Sequence, residues 1–433
     1  MAIRNRRRQH SVGQGFYHSG EIYFDDGSEL SYVYDCGAMH RYVAARQREI
    51  RGYLKRRGAK APLDILFLSH VHADHVNGLA QLLDKNQGVQ VDTIVLPLID
   101  VIERLIAFSR TAAEDRASAE DEFYRDFIVD PATALGRFGP RQIIFVRGSG
   151  PDGRTPDDDE PLLEGPRGPA VYGREVRERS PMWKLVGRGA VETSNQSVQD
   201  RSTGTQQLIV DDSVAFGVRD HHLSWLLAPY IDPGVAAQRK EFLSALSKEC
   251  KIARHKIEAW LTVPANVKAL VTTNRDRLSI AYATVTGDLN ITSLCLYSGP
   301  ARHNSPRTLK AMRGKYGCVH YGSASVDTRL AWLGTGDAAL KSKERRAAFA
   351  THYGKLLDEV VTFTLPHHGS DHSFDPDLLD RLSAKIYIAA ADRFSTWKHP
   401  GPYTIQAVCS VPAVLQVVTS KQASRAFEEA LLG

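Results

Sequence analysis

Short apolar runs broken by Gly, Asp, Asn and Pro recur along most of the chain, and their period decides which element each one predicts. In "EIYFDDGSELSYVYDCG" two alternating runs meet at Asp26-Gly27, which predicts two antiparallel strands. The next stretch, "HRYVAARQREIRGYLKRRG", puts Val43, Ile50 and Leu54 near one face among basic residues and stops at a glycine, the pattern of a surface helix. "LDILFLSH" and "TIVLPLID" are fully apolar and separated by a helix, so they read as buried strands in a βαβ arrangement. From about 101 to 138 the period turns helical, and "QIIFVRG" returns to strand. "GSGPDGRTPDDDEPLLEGPRGP" has no period and reads as a long exposed loop, its acidic run 157–160 included. "SWLLAPYI" predicts a buried strand, and 234–275 reads as mostly helical. Strands are then expected at "LSIAYATV", "SLCLYSG", "TRLAWLGTG", "VVTFTLPHH" and "KIYIAAAD". These elements predict one α/β domain over 1–433, with a loop-rich and helical insertion at about 101–280.

Composition narrows the class. The 433 residues are 42% hydrophobic and 24% charged, a globular balance, with a formal net charge of +5. That charge tolerates a polyanionic partner without the dense basic character of a dedicated nucleic-acid binder. Five cysteines, odd in number and without a CxxC pair, indicate neither a disulfide framework nor a zinc ribbon, and a cytoplasmic location is expected. The arginines near the start are not followed by an apolar signal-peptide core. No run of about 18 apolar residues predicts a membrane span.

Chemistry concentrates in "FLSHVHADHVNG". His70, His72, Asp74 and His75 follow a buried strand, where a strand-to-helix turn can aim all four side chains into one pocket. Neutral imidazoles with a carboxylate are the usual ligands of zinc and similar ions, and two ions a few Å apart can share them. A Ser-His-Asp set with a GxSxG elbow, a Walker-type loop and a GxGxxG after a strand are all absent, so acyl-serine, P-loop and dinucleotide chemistry are unsupported.

The HxHxDH arrangement resembles the metallo-β-lactamase superfamily, an αββα sandwich of two mixed sheets flanked by helices with a binuclear metal site. Six further segments, in order, resemble the metallo-β-lactamase domain of ComEC-type competence proteins: "SVGQGFYHSGEI", "YVYDCG", "NITSLCLYSG", "WLGTGDA", "LPHHGSDHS" and "KHP". They cover residues 11–400, thinly between 100 and 280, and the membrane channel of those proteins has no counterpart here.

The resemblance implies roles residue by residue. Asp337, after an apolar strand, would bridge two metals; locally it also suits a turn aspartate. Asp35 would orient a ligand histidine, or merely end a strand. Where the superfamily places a third histidine on the first metal, this chain has "GDLNITSL", with Asn290 and Ser293 as second-shell or substrate residues. One ion is therefore expected to be weakly held, and Mn2+ is as suitable as Zn2+. His368, followed two residues later by Ser370, is assigned to the second metal with Asp74 and His75. His367 is placed beside the substrate, Ser370 steadies the turn, and His372 reads as a helix-start residue. His399 would be a general acid or phosphate contact, or a structural strand-end histidine.

A pair of metals would lower the pKa of a bridging water and position it against a phosphorus or carbonyl centre, so hydrolysis is the expected reaction. The catalytic residues are then Asp74, His367 and His399. Arg302, Arg307, Lys310 and Arg313, read as a loop, and Lys341, Lys343, Arg345 and Arg346 would draw a phosphodiester backbone if they rim the pocket. Together with the resemblance they favour a phosphodiesterase or nuclease acting on nucleic acid. The alternatives are a hydrolase of a small ester, lactone or phosphodiester metabolite, and a binding subunit of a bacterial defence or toxin system, with a protein partner meeting the helical insertion.

Overall fold

The computed structural model describes residues 3–150, 153–155, 173–177, 180–187, 189–193, 204–220, 223–234, 236–285, 292–301, 307–314, 317–319, 329–392 and 398–432. Within them the strands form an 11-stranded and an 8-stranded sheet, besides a short two-stranded ribbon. In the larger sheet Glu29–Cys36, Pro62–Phe67, Gln90–Pro97, Gln142–Arg147 and Gln206–Asp211 run parallel to one another. In the smaller one Ala331–Gly334, Val360–Thr364, Ile386–Ala390 and Val414–Val418 do the same. Antiparallel strands complete both, so each sheet is mixed.

Strand alternation sorts the apolar side chains into layers. Tyr34, Phe67, Leu296 and Trp332 point between the sheets into a common core. Val33 and Leu66, of opposite parity, face helices that include Val43–Arg57, Val101–Glu114 and Ala236–Glu249. On the far side Leu333 and Phe363 pack against Lys343–Tyr353, Asp377–Leu382 and Pro402–Cys409. The result is helix, sheet, sheet, helix.

The segment from 101 to 280 does not stand apart as helices and loops. Gln142–Arg147 and Gln206–Asp211 extend the larger sheet, and Leu223–Asp232 pairs with Ser293–Pro300 in the smaller one. Two expectations are corrected. "LSIAYATV" is not a strand: Arg275–Ala283 is a helix that buries Leu278 and Ala281, a spacing of three that its alternating letters disguise. Arg307–Gly314 is not a loop but a strand paired with Ala426–Leu432, in a sequence whose alternation of small, apolar and basic residues contains no apolar run. Arg302, Asn290 and the acidic run 157–160 lie outside the described residues. No helix among the described residues is long and apolar enough to cross a membrane.

Candidate metal centre

The chemistry-bearing side chains leave the carboxyl ends of parallel strands in both sheets, where open α/β folds place their ligands. Glu29–Cys36 presents Asp35, and Pro62–Phe67 leads into His70, His72, Asp74 and His75. Ala331–Gly334 leads to Asp337, and Val360–Thr364 to His367 and His368. Hydrogen bonds stitch the two sheets beneath them: Leu294 N donates to Ser69 O at 2.7 Å and the Tyr34 hydroxyl to Leu294 O at 2.6 Å. Ser293 Oγ accepts from Asp337 N at 3.1 Å, which fixes the Asp337 turn.

Two groups of possible ligands result, His70 with His72 and Asp337, and Asp74 with His75 and His368. Asp337 faces both. Its Oδ2 lies 3.4 Å from His70 Nε2 and 3.8 Å from His72 Nδ1, whereas its Oδ1 lies 3.8 Å from His75 Nε2. His368 Nε2 is 3.4 Å from Asp74 Oδ2, and His70 Nε2 is 3.0 Å from His72 Nδ1. Two donors bound at about 2.1 Å to one tetrahedral ion stand about 3.4 Å apart, so these separations suit shared coordination. His75 Nε2 and Asp337 Oδ1 are also buried without a hydrogen-bond partner among the described residues, a costly state unless something else satisfies them. The residues fit divalent metal ions.

The opposite ring nitrogens are held. His75 Nδ1 meets Asp35 Oδ2 at 2.7 Å, and His368 Nδ1 donates to Ala390 O at 2.8 Å. Ser69 links the rest: its Oγ donates to Asp35 Oδ2 at 2.6 Å and lies 2.8 Å from His70 Nδ1, while its N–H donates to Asp35 Oδ1 at 2.7 Å. Asp35 adopts a left-handed φ of 59° to reach this position. Such partners fix imidazole orientation and leave Nε2 of His70, His75 and His368 directed at the two groups.

Burial and neighbouring charge set the protonation states. Burial, then His75, lowers the pKa of His70, and burial brings His72 down to about 3, so both are neutral as ligands must be. Burial alone would depress His75 too, but the carboxylates of Asp35 and Asp74 outweigh it and push it up to about 9, so an ion held at its Nε2 would have to displace a proton there. Burial opposes ionisation of Asp74 and Asp337, yet the surrounding histidines hold both well below the usual carboxylate range.

His72, Asp74, Asp337 and His368 line a cleft that His367 and His399 also line. His367 Nε2 sits 3.6 Å from Asp337 Oδ2, on the side of His70 and His72, and Nδ1 is 3.2 Å from Ser373 Oγ. The His399 ring centroid lies 5.7 Å from that of His367, and burial, then His368, lowers its pKa to about 4. Ser370 Oγ accepts from His372 N at 3.2 Å, and Ser370 N donates to His367 O at 3.0 Å. His372 is an exposed turn residue ahead of the helix Asp377–Leu382 and does not start it.

Three contributors escaped sequence reasoning: Ser69, Arg110 and Glu114. Arg110 and Glu114 come from the helix Val101–Glu114, in the stretch the motifs barely cover, and their i,i+4 spacing looks like any surface ion pair. Three of the basic residues expected at the rim, Arg345, Arg346 and Lys341, have partners of their own. Arg345 pairs with Asp232, Arg346 with Asp375 and Asp377, and Lys341 donates to Asp371 O.

A sandwich of two mixed sheets flanked by helices is consistent with the metallo-β-lactamase fold. The family model of the metallo-β-lactamase superfamily matches residues 21–91, which run from the first hairpin through the HxHxDH turn. Among solved structures, the crystal structure of a long form RNase Z from yeast is similar at 9% identity with a TM-score of 0.28. It covers 84% of this chain and 32% of its own, so this chain spans about a third of that protein. No curated protein matches the sequence.

Proposed function

We propose that the chain is a metal-dependent hydrolase that cleaves phosphodiester bonds, with nucleic acid as its substrate class, in the cytoplasm. The observation that carries the hydrolase reading is the pair of three-residue groups turned toward each other across Asp337, with buried ligand atoms that have no hydrogen-bond partner among the described residues. Two divalent ions there, Zn2+ or Mn2+, would supply Lewis acidity and lower the pKa of a water. His70, His72 and Asp337 would hold one, and Asp74, His75 and His368 the other, with Asp337 shared.

The chain's own residues do the positioning. Asp35 and Ser69 hold His75 and His70 in the ligating orientation, and the Ala390 carbonyl does the same for His368. His367 and His399 line the cleft above the groups and face the substrate and its leaving group. The ordered series of motifs that resemble those of ComEC-like domains supports a phosphodiester over a carboxylic ester.

The test is an assay of protein loaded separately with zinc and manganese against single- and double-stranded DNA, RNA and bis-p-nitrophenyl phosphate. Asp74→Ala and Asp337→Ala should each cost about a thousandfold or more, since several kcal/mol of charge stabilisation rest on the ions they hold. Unchanged turnover in either variant would refute the paired site. Activity on the small diester with none on any nucleic acid would redirect the reading to a metabolite phosphodiesterase.

A further inference from the structure

Among the described residues lining the cleft, the only Lys or Arg is Arg110, against the four carboxylic side chains of Asp74, Glu114, Asp115 and Asp337 in the same lining. It is 8% exposed. Its Nε donates to Glu114 Oε1 at 2.9 Å, and Nη2 donates to His367 Nε2 at 3.0 Å, which in turn lies 3.6 Å from Asp337 Oδ2. The guanidinium therefore stands one imidazole away from the carboxylate shared by both ligand groups.

Fold stability does not call for this arrangement. The helix Val101–Glu114 is capped by Asp100, which accepts from Ile102 N and Glu103 N, and it already buries Leu105, Ile106 and Phe108 in the outer core. A buried ion pair is often replaced by apolar residues of similar volume without loss of stability, so one kept at the wall of a reactive cleft is better explained by what the cleft binds. A guanidinium offers a planar fork of donors whose charge does not depend on pH, suited to two oxygens of one phosphate. A phosphodiester presents two such oxygens and one negative charge. A neutral ester or lactone presents neither.

We propose that Arg110, braced by Glu114, is the anion receptor of this site, and that it selects substrates whose scissile group is an anionic phosphodiester. The proposal deepens the phosphodiesterase reading above and rests on it for the reaction, though not for anion binding itself. Nothing covalent is required of Arg110: it receives a non-bridging oxygen of the phosphate and holds it against the ligand groups.

Two variants of the full-length, metal-loaded protein test this, Arg110→Gln and Arg110→Lys, with metal content measured in each. The first measurement is calorimetric titration with inorganic phosphate. Arg110→Gln should weaken phosphate binding by about 10- to 100-fold, the usual worth of a hydrogen bond to a charged group. Arg110→Lys should fall in between, because it keeps the charge and loses the fork. The second compares kcat/KM on bis-p-nitrophenyl phosphate and on neutral p-nitrophenyl acetate. The loss in Arg110→Gln should be at least about tenfold greater on the diester, since only that substrate carries the recognised charge. Equal losses on both substrates, or phosphate affinity the same in wild type and Arg110→Gln, would overturn the proposal and leave Arg110 as a support for His367. Arg110-dependent phosphate binding by a protein that cleaves the neutral ester and no diester would instead refute the phosphodiesterase reading while the anion receptor stands.

Discussion

His367 and His368 are consecutive, and both occupy the left-handed region, at φ 50° and 59°, between Pro366 and a Gly369 at φ 83°. A non-glycine residue held there costs about 1–3 kcal/mol, tolerated only where the surroundings over-determine it. Here they do: His367 N donates to Gly336 O at 2.9 Å, Ser370 N to His367 O at 3.0 Å, and Gly401 N to Gly369 O at 2.9 Å. The strained turn sends two adjacent imidazoles to different destinations, their centroids 6.0 Å apart and their planes at 60°. His368 reaches Asp74, while His367 meets Arg110 and the far oxygen of Asp337. His368→Ala should therefore remove more bound metal than His367→Ala, as read by elemental analysis of dialysed protein. A greater metal loss from His367→Ala would reverse the assignment of the two side chains.

At the scale of elements, the turn after Ala331–Gly334 shows how tightly the two sheets meet. Gly336 has φ 51°, and a Cβ there would lie 2.6 Å from Ser293 Oγ and 2.7 Å from Ser69 Cβ. Gly336→Ala must push apart the three segments that carry Asp337, Ser293 and the HxHxDH turn. It should lower unfolding free energy by about 1–3 kcal/mol in denaturant titrations, the cost of a left-handed alanine with a clash added, and it should reduce metal content with it. An unshifted denaturation midpoint would show that this junction yields. The same junction explains what the sequence disclosed and what it withheld. Fully apolar strands such as Pro62–Phe67 and Val360–Thr364 announce themselves, and histidines just beyond them are conspicuous. Ser69 is invisible as a positioning group because its role depends on Asp35, a residue 34 positions earlier. Arg110 contacts His367 across 257 positions, and no local pattern marks it. The run within the helix Arg275–Ala283 suits a strand as well as a helix, because a short alternating run serves two periods until its neighbours choose one.

At the scale of the whole molecule, the ligands come from positions 70 to 368 and converge only because both sheets open their parallel strands' carboxyl ends toward one edge. That convergence also buries all of them but Asp74, whose side chain stays 20% exposed. His70 is 0% exposed, His75 1%, His368 5% and Asp337 6%, and the helix bearing Arg110 and Glu114 forms a wall of the cleft beside them. In the proposed phosphodiesterase the scissile phosphate would descend below the protein surface to meet these groups. A duplex holds each phosphate against a stacked, paired partner strand that would meet the cleft walls first. A single strand can unstack and extend its backbone into a narrow groove at the cost of a few kcal/mol or less. With either metal, the protein should cleave a single-stranded oligonucleotide with kcat/KM at least about tenfold above that for the same strand annealed to its complement, a difference of about 1.4 kcal/mol. Adding a single-stranded overhang to the duplex should restore cleavage at the overhang. Equal rates on blunt duplex and single strand would mean that the helical wall moves aside, and the segment Val101–Glu114 would then be the part of the molecule to follow by hydrogen exchange.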